Sequence, residues 1–158
     1  MGTLSLPTCA AAIARTFFSY TIGLETLAKS KALDRSCPCG LPFPLASCCA
    51  PIIAGLTIAK TAEQLMRSRY SAYVLKNEAY LLESWHSSTR PEHLSFDDNQ
   101  RWLGLKIVAT DKGSEEDDEG TVQFVARYKL AGRGYRLEEK SRFTRDNLRW
   151  VYLDGLIK

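Results

Sequence analysis

The hydrophobic period of this chain changes once, near Arg101, and that change restricts the folds open to it. Upstream, AEQLMRSRYSAYVLKNEAYLLESWH sets Leu65, Met66, Tyr70, Tyr73 and Val74 on one helical stripe. Tyr80, Leu81, Leu82 and Trp85 continue the stripe after a shift of phase near Asn77. Two helices joined by a bend are therefore expected between Ala62 and Trp85. Thr61, three residues ahead of Gln64, has the chemistry of an N-cap. SSTRPEHLSFDDNQ reads as loop, with Pro91 barring a continued helix. Downstream, RWLGLKIVAT, GTVQFVARYKL, YRLEEKSRFTR and LRWVYLDG carry β-branched or aromatic residues in partial alternation. Ala131-Gly132-Arg133-Gly134 and Asp146-Asn147 supply turn chemistry between strands. Successive strands with short connections make an antiparallel meander. The expectation is an α+β fold, helices first, packed on one face of a strongly curved sheet whose other face can form a pocket.

Ahead of the helices, CPCGLPFPLASCC packs four of the chain's five cysteines into thirteen positions. A structural metal site needs four soft ligands converging on a tetrahedron. Cys37 and Cys39, then Cys48 and Cys49, can supply them from two knuckles across a loop containing Gly40, Pro42 and Pro44. The alternatives are free thiols or two disulfides crossing the loop, since adjacent cysteines rarely bond each other. A Cys-x-x-Cys redox motif is absent. A thiolate set of this kind takes zinc, and iron equally suits four sulfurs. Cys9 stands apart and reads as a small apolar residue.

The bulk composition, 45% apolar and 25% charged, is that of an ordinary globular protein, and the net charge of +3 is too small to imply a polyanion partner. Its distribution says more. Asp111 to Glu119 holds six acids against Lys112, and Arg127 to Arg149 holds eight basic residues against Glu138, Glu139 and Asp146. Solvated surface is the plain reading; a basic face for an acidic partner, RNA included, is the sharper one. No apolar run reaches the length of a membrane span. Leu4 to Ala14 looks like a signal-peptide core, but no Lys or Arg precedes it and Pro7 interrupts it. Glu25 and Asp34 count against an organelle transit peptide. A cytoplasmic location with reduced thiols is therefore expected. Ile13, Phe17, Phe18, Thr21, Leu24 and Leu27 have helical spacing and predict an amphipathic helix between Ala10 and Lys31.

CPCGLPFPLASCC resembles the SEC-C motif, the zinc-binding module known from the carboxyl tail of the SecA preprotein translocase. All four ligand positions match. Leu41-Pro42 replace the usual Ser-Gly pair, and the lysines that normally precede the last cysteines are missing. MRSRYSAYV, YLLESWHSSTRP, WLGLKI, VQFVARYKLAGRGYRLEEKSRF and RWVYLDG resemble, block by block and in order, the YchJ-like family of bacterial proteins. That resemblance covers about residues 36–158 and implies a zinc knuckle over 36–52 and a cone-like domain similar to nuclear transport factor two over 60–158; residues 1–35 lie outside it as an amino-terminal extension. Glu138 stands where the family usually has His, and a second carboxyl-terminal cysteine cluster is absent.

Catalytic chemistry is thin. His86 has a titratable imidazole suited to a general base, although capping a helix end is its commoner use. Arg67, Arg69, Arg127 and Arg142 are candidates to clamp a small anion in the cone, unless Glu138, Glu139 or Asp154 neutralise them. Pairing of Arg127 and Arg142 with those acids is expected. Tyr70, Tyr73, Trp85, Trp102 and Tyr152 read as core aromatics first and ligand platforms second. No Ser-His-Asp order, phosphate loop or second metal set is present. The expected function is a zinc-bearing accessory module that contacts a protein or ribosome-like partner. The alternative is an enzyme or anion-binding protein using His86 with Arg127 and Arg142.

Overall fold

The computed structural model describes residues 35–158. The amphipathic helix expected between Ala10 and Lys31 lies outside the described residues, as does nearly all of the extension over 1–35. The described part forms one compact unit. After a 3-10 turn at Leu45–Ser47 come three helices, α1 (Ala50–Ile53), α2 (Ala62–Val74) and α3 (Glu78–Glu83). Four strands follow: β1 (Gln100–Lys112), β2 (Glu119–Leu130), β3 (Arg133–Asp146) and β4 (Arg149–Ile157).

Local chemistry sets the helix ends. Thr61 Oγ1 accepts from the Gln64 amide at 3.1 Å, while Gln64 Oε1 accepts from the Lys60 amide at 2.8 Å. The reciprocal bond reaches one residue further back than in a standard capping box. Lys76 adopts a left-handed φ of 54° beyond the end of α2. Asn77 then opens α3, its side chain accepting from the Tyr80 amide at 3.1 Å. The expected bend is thus a stop followed at once by a new cap.

The strands pair antiparallel in the order β1-β2-β3-β4. Register breaks that leave Leu103 and Val108 unpaired in β1, and Leu153 unpaired in β4 opposite Arg142/Phe143, are bulges that curl these strands. Leu65, Met66 and Tyr70 of α2 fill the concave side against Val122, Phe124, Ala126, Phe143 and Trp150. Alternation explains that choice, because Val122, Phe124 and Ala126 share one face of β2. A second cluster joins Ala72, Tyr80 and Leu81 to Leu94 and Phe96 of the loop before β1. The end of α3 is stitched to β4: the Tyr152 amide donates to Ser84 O at 2.9 Å, and the His86 amide to Tyr152 O at 2.8 Å.

At the other end, the Ala62 amide donates to Gly113 O at 2.9 Å. Gly113 has a φ of +82°, and a Cβ there would lie 2.7 Å from Ala62 Cβ, so only glycine lets the β1–β2 hairpin meet α2. Arg145 organises the acidic loop that follows. Its Nη2 donates to Glu115 O at 2.9 Å and its guanidinium carbon sits 4.4 Å from the centre of the Trp150 ring.

Candidate metal centre and cone pocket

The cysteine segment is a short chain reversal. The Cys37 amide donates to Phe43 O at 2.8 Å, the Gly40 amide to Cys37 O at 3.2 Å, and the Leu45 amide to Arg35 O at 2.8 Å. The 3-10 turn then delivers Cys48 and Cys49, the latter capping α1. Cys37, Cys39 and Cys49 are buried and Cys48 is partly covered. All four Sγ atoms lie within 4.8 Å of one another. Cys39 Sγ is 3.6 Å from Cys48 Sγ, which is 3.9 Å from Cys49 Sγ. Thiolates about 2.3 Å from a central ion make a tetrahedron with edges of about 3.8 Å. A disulfide needs about 2.05 Å. The donors and their spacing fit a four-thiolate ion.

Crowding distributes the protons unevenly. Hydrogen bonds from Cys39 and Cys49 hold the Cys37 thiol far below its ordinary range. Those same contacts, to Cys37 first, push Cys49 far up. Burial, then hydrogen bonds to Cys37 and Cys39, push Cys48 up to about 12. A soft cation binding here would displace the remaining protons.

Helix α2 clasps this segment from outside. The buried Ser71 hydroxyl lies 3.6 Å from Cys37 Sγ. Arg67 Nη1 donates to Cys39 O at 2.8 Å, and Arg67 Nε to Glu63 at 2.7 Å. Arg67 is therefore a knuckle anchor, not a pocket residue. Ser71 carried no signal of its own in the sequence, but it lies one helical turn beyond Arg67 and so shares its face.

The concave side of the sheet encloses a cavity of about 230 Å³, whose walls include Arg69, Tyr70, Tyr73, Trp85, Trp102 and Tyr152. Arg69 is only 3% exposed. Its Nη1 donates to Leu81 O at 2.8 Å and to Ser84 Oγ at 2.7 Å. Its guanidinium carbon lies 4.9 Å from the Trp85 ring centre and 4.6 Å from that of Tyr152. Burial pulls the Arg69 pKa down, opposed by Tyr73, Tyr152, Tyr80 and Glu139. Glu139, also in the wall, accepts from Ser141 Oγ at 2.7 Å and from the Tyr152 hydroxyl at 3.1 Å. Gly155 makes room for it, since a Cβ there would fall 2.0 Å from Glu139 Oε1.

Of the residues singled out in the sequence, Arg69, Tyr70, Trp85 and Trp102 meet in this cavity. His86, Arg127 and Arg142 do not line it. His86 follows Trp85 away from the cavity, its Nδ1 lying 2.6 Å from Ser88 Oγ. Arg127 alternates with the inward Ala126 and is exposed on the outer face of β2. Arg142 is also exposed and pairs with Asp154, Nε to Oδ1 at 2.6 Å, as the neighbouring acids led one to expect. No acid pairs with Arg127 among the described residues; its cross-strand partner is Arg136. The inward position of Glu139 was readable from Leu137 and Phe143, which share its parity on β3.

A four-cysteine knuckle of SEC-C type, docked on a helix-and-sheet cone of the kind seen in nuclear transport factor two, defines the class of this protein. The family model described as YchJ, middle NTF2-like domain, matches residues 61–155. The chain belongs to the YchJ-like family, whose curated members carry the name UPF0225. It is 48% identical over 134 residues to a UPF0225 protein of Chromobacterium violaceum, covering 82% of this chain and 98% of the relative. A UPF0225 protein of Streptomyces avermitilis is 48% identical over 126 residues, covering 80% and 87%. Among solved structures, a SEC-C motif-containing protein from Rhodopseudomonas palustris superposes with a TM-score of 0.67 at 30% identity, over 77% of this chain and 98% of that one. One from Psychrobacter arcticus gives 0.66 at 25% identity, over 81% and 85%.

Proposed function

We propose that Cys37, Cys39, Cys48 and Cys49 hold one zinc ion, with iron as the alternative occupant, in a cytoplasmic accessory module. The observation that carries this reading is the convergence of four buried or half-buried sulfurs at tetrahedral spacing. Four thiolates leave no open coordination position, so the ion would supply structure and not catalysis. Reduced thiols suit a reducing compartment. No helix among the described residues is long and apolar enough to cross a membrane.

The partner, in this reading, is a protein or ribosome-like polyanion that meets the outer sheet face. Arg127 and Arg136 stand directly opposite each other there, both exposed; Glu138 on the same face pairs with Arg136 at 2.8 Å, and Arg127 has no acid among the described residues. An acidic partner would supply the acid that Arg127 lacks. Exposed Lys106 and Lys140 lie on the same face.

Elemental analysis of reduced, natively purified protein should find about one zinc or iron per chain, and Cys48→Ser should greatly weaken retention. A metal-free protein with two disulfides, or full occupancy in the variant, refutes the centre. For the face, salt-sensitive co-sedimentation with ribosomes should disappear when Arg127→Glu and Arg136→Glu are combined. Co-sedimentation that survives this double reversal refutes the face.

A further inference from the structure

Among the described residues, Arg69 is a buried cation with no carboxylate within ion-pair distance. Its Nη1 is satisfied, but its Nε and Nη2 have no protein acceptor among the described residues. Aromatic faces offset part of that cost and provide no acceptor. Trp85, in the same cavity wall, has a fully buried indole Nε1 without a hydrogen-bond partner among the described residues. Glu139 favours the charged Arg69 from across the wall but makes no ion pair with it, its Oε1 accepting instead from Ser141 and Tyr152. The cavity therefore has surplus donors, a guanidinium with no ion-pair partner set apart from the one carboxylate in the wall, and walls made largely of rings.

We infer that this cavity is a binding site for a small aromatic carboxylate, its anionic end on Arg69 and its ring among Tyr70, Tyr73, Trp102 and Tyr152. A planar carboxylate matches the guanidinium edge, and offset or edge-on ring contacts suit the aromatic body. Size agrees. Against the roughly 150 Å³ cavity that takes one benzene, the 230 Å³ here scales to about nine non-hydrogen atoms. Benzoate has that size. The site is separate from the cysteine centre and stands or falls independently of it.

The test is an NMR titration of the full chain with benzoate, followed at the indole N–H signals of Trp85 and Trp102, beside the neutral isostere benzamide. Benzoate should saturate at or below about 10 mM, the level ordinary ligand efficiency gives for nine atoms. Benzamide should bind at least about tenfold more weakly, because it lacks the charge that Arg69 is missing. Glu139→Gln, which removes a like charge and keeps the shape, should tighten benzoate binding several-fold. Ala126→Leu, which fills the cavity, should abolish it in a chain that still melts cooperatively. Absence of saturation, benzamide binding as tight as benzoate, weaker benzoate binding in Glu139→Gln, or undiminished binding in Ala126→Leu each overturns the assignment. Arg69→Met should lose benzoate binding too. Should that variant not fold, the wild-type comparison of benzoate with benzamide decides.

Discussion

The β3–β4 hairpin turns on two residues, Asn147 and Leu148, with φ values of 48° and 66°. Asp146 and Arg149 close the ladder on either side. Two consecutive left-handed residues are the signature of a type I′ turn, whose preferred sequence is Asn-Gly. Asn tolerates this conformation, whereas for leucine it costs about 1 to 2 kcal/mol. Leu148 gains little in return, because its side chain is 85% exposed. Leu148→Gly removes the strain and adds about 0.5 to 1 kcal/mol of backbone entropy cost. The net expectation is a stabilisation of about 0.5 to 1 kcal/mol, or a rise in Tm of about 2 to 4 °C. Leu148→Ala is the control, since it removes the same exposed side chain and keeps the left-handed penalty. Thermal melts followed by circular dichroism should rank the glycine variant above wild type and leave the alanine variant level with it. An equal gain in both would show that exposure of leucine, not backbone strain, is what was relieved. A glycine variant no more stable than wild type would refute the strain altogether.

Gly113→Ala should act in the opposite direction, combining the left-handed penalty with the 2.7 Å approach to Ala62 Cβ for a loss of about 2 to 4 kcal/mol by urea titration. Wild-type-like unfolding would contradict the close packing drawn at that hairpin. Alkali should unfold the chain through its tyrosines. Burial pushes Tyr70 up to about 12 and also raises Tyr73, Tyr80 and Tyr152, so their stabilisation is intact below pH 10 and is lost as pH climbs through the folded values. A Tm that stays flat from pH 9 to 12 would contradict the burial. Chelation under reducing conditions should lower hydrogen-exchange protection in α2, which carries Arg67 and Ser71, before it touches the β2–β3 amides. Uniform protection before and after would mean that the knuckle does not support the helix.

Much of this architecture was legible because period and punctuation agreed. The helix pair, its bend at Asn77 and the meander followed from side-chain spacing and turn residues, with strand ends shifting by three residues or fewer. Arg133 and Gly134 joined the strand because a two-residue turn at Ala131-Gly132 already closes that hairpin. The cysteine spacing brought four sulfurs together. Facing was harder to read. Arg127, with apolar neighbours on both sides, gave no clear parity, and both its faces proved partly covered because Val125 is buried as well as Ala126. Arg69 did leave a signal, as a cation embedded in the apolar stripe of Leu65, Met66, Tyr70 and Tyr73. That signal was diluted by its neighbour Arg67, which a helix turns roughly 200° away.

That rotation is why one helix can serve two sites. Arg67 and Ser71, four residues apart, face the cysteine segment, while Met66, Arg69, Tyr70 and Tyr73 face the cavity. The two faces meet different physical demands. On the knuckle side, α2 supplies hydrogen bonds to a backbone carbonyl and a sulfur, which hold a segment whose own core is no more than Leu45 and the cysteines with their few apolar neighbours. On the cavity side, the same backbone must present a buried charge, and its hydrogen bonds to Leu81 and Ser84 tie that charge to the end of α3. Glycine at 113 and the cap at Thr61 fix where α2 begins, and so fix the rotation of both faces at once. A shift of one residue in the start of α2 would turn each face by about 100° and dismantle the sulfur clasp and the cation site together.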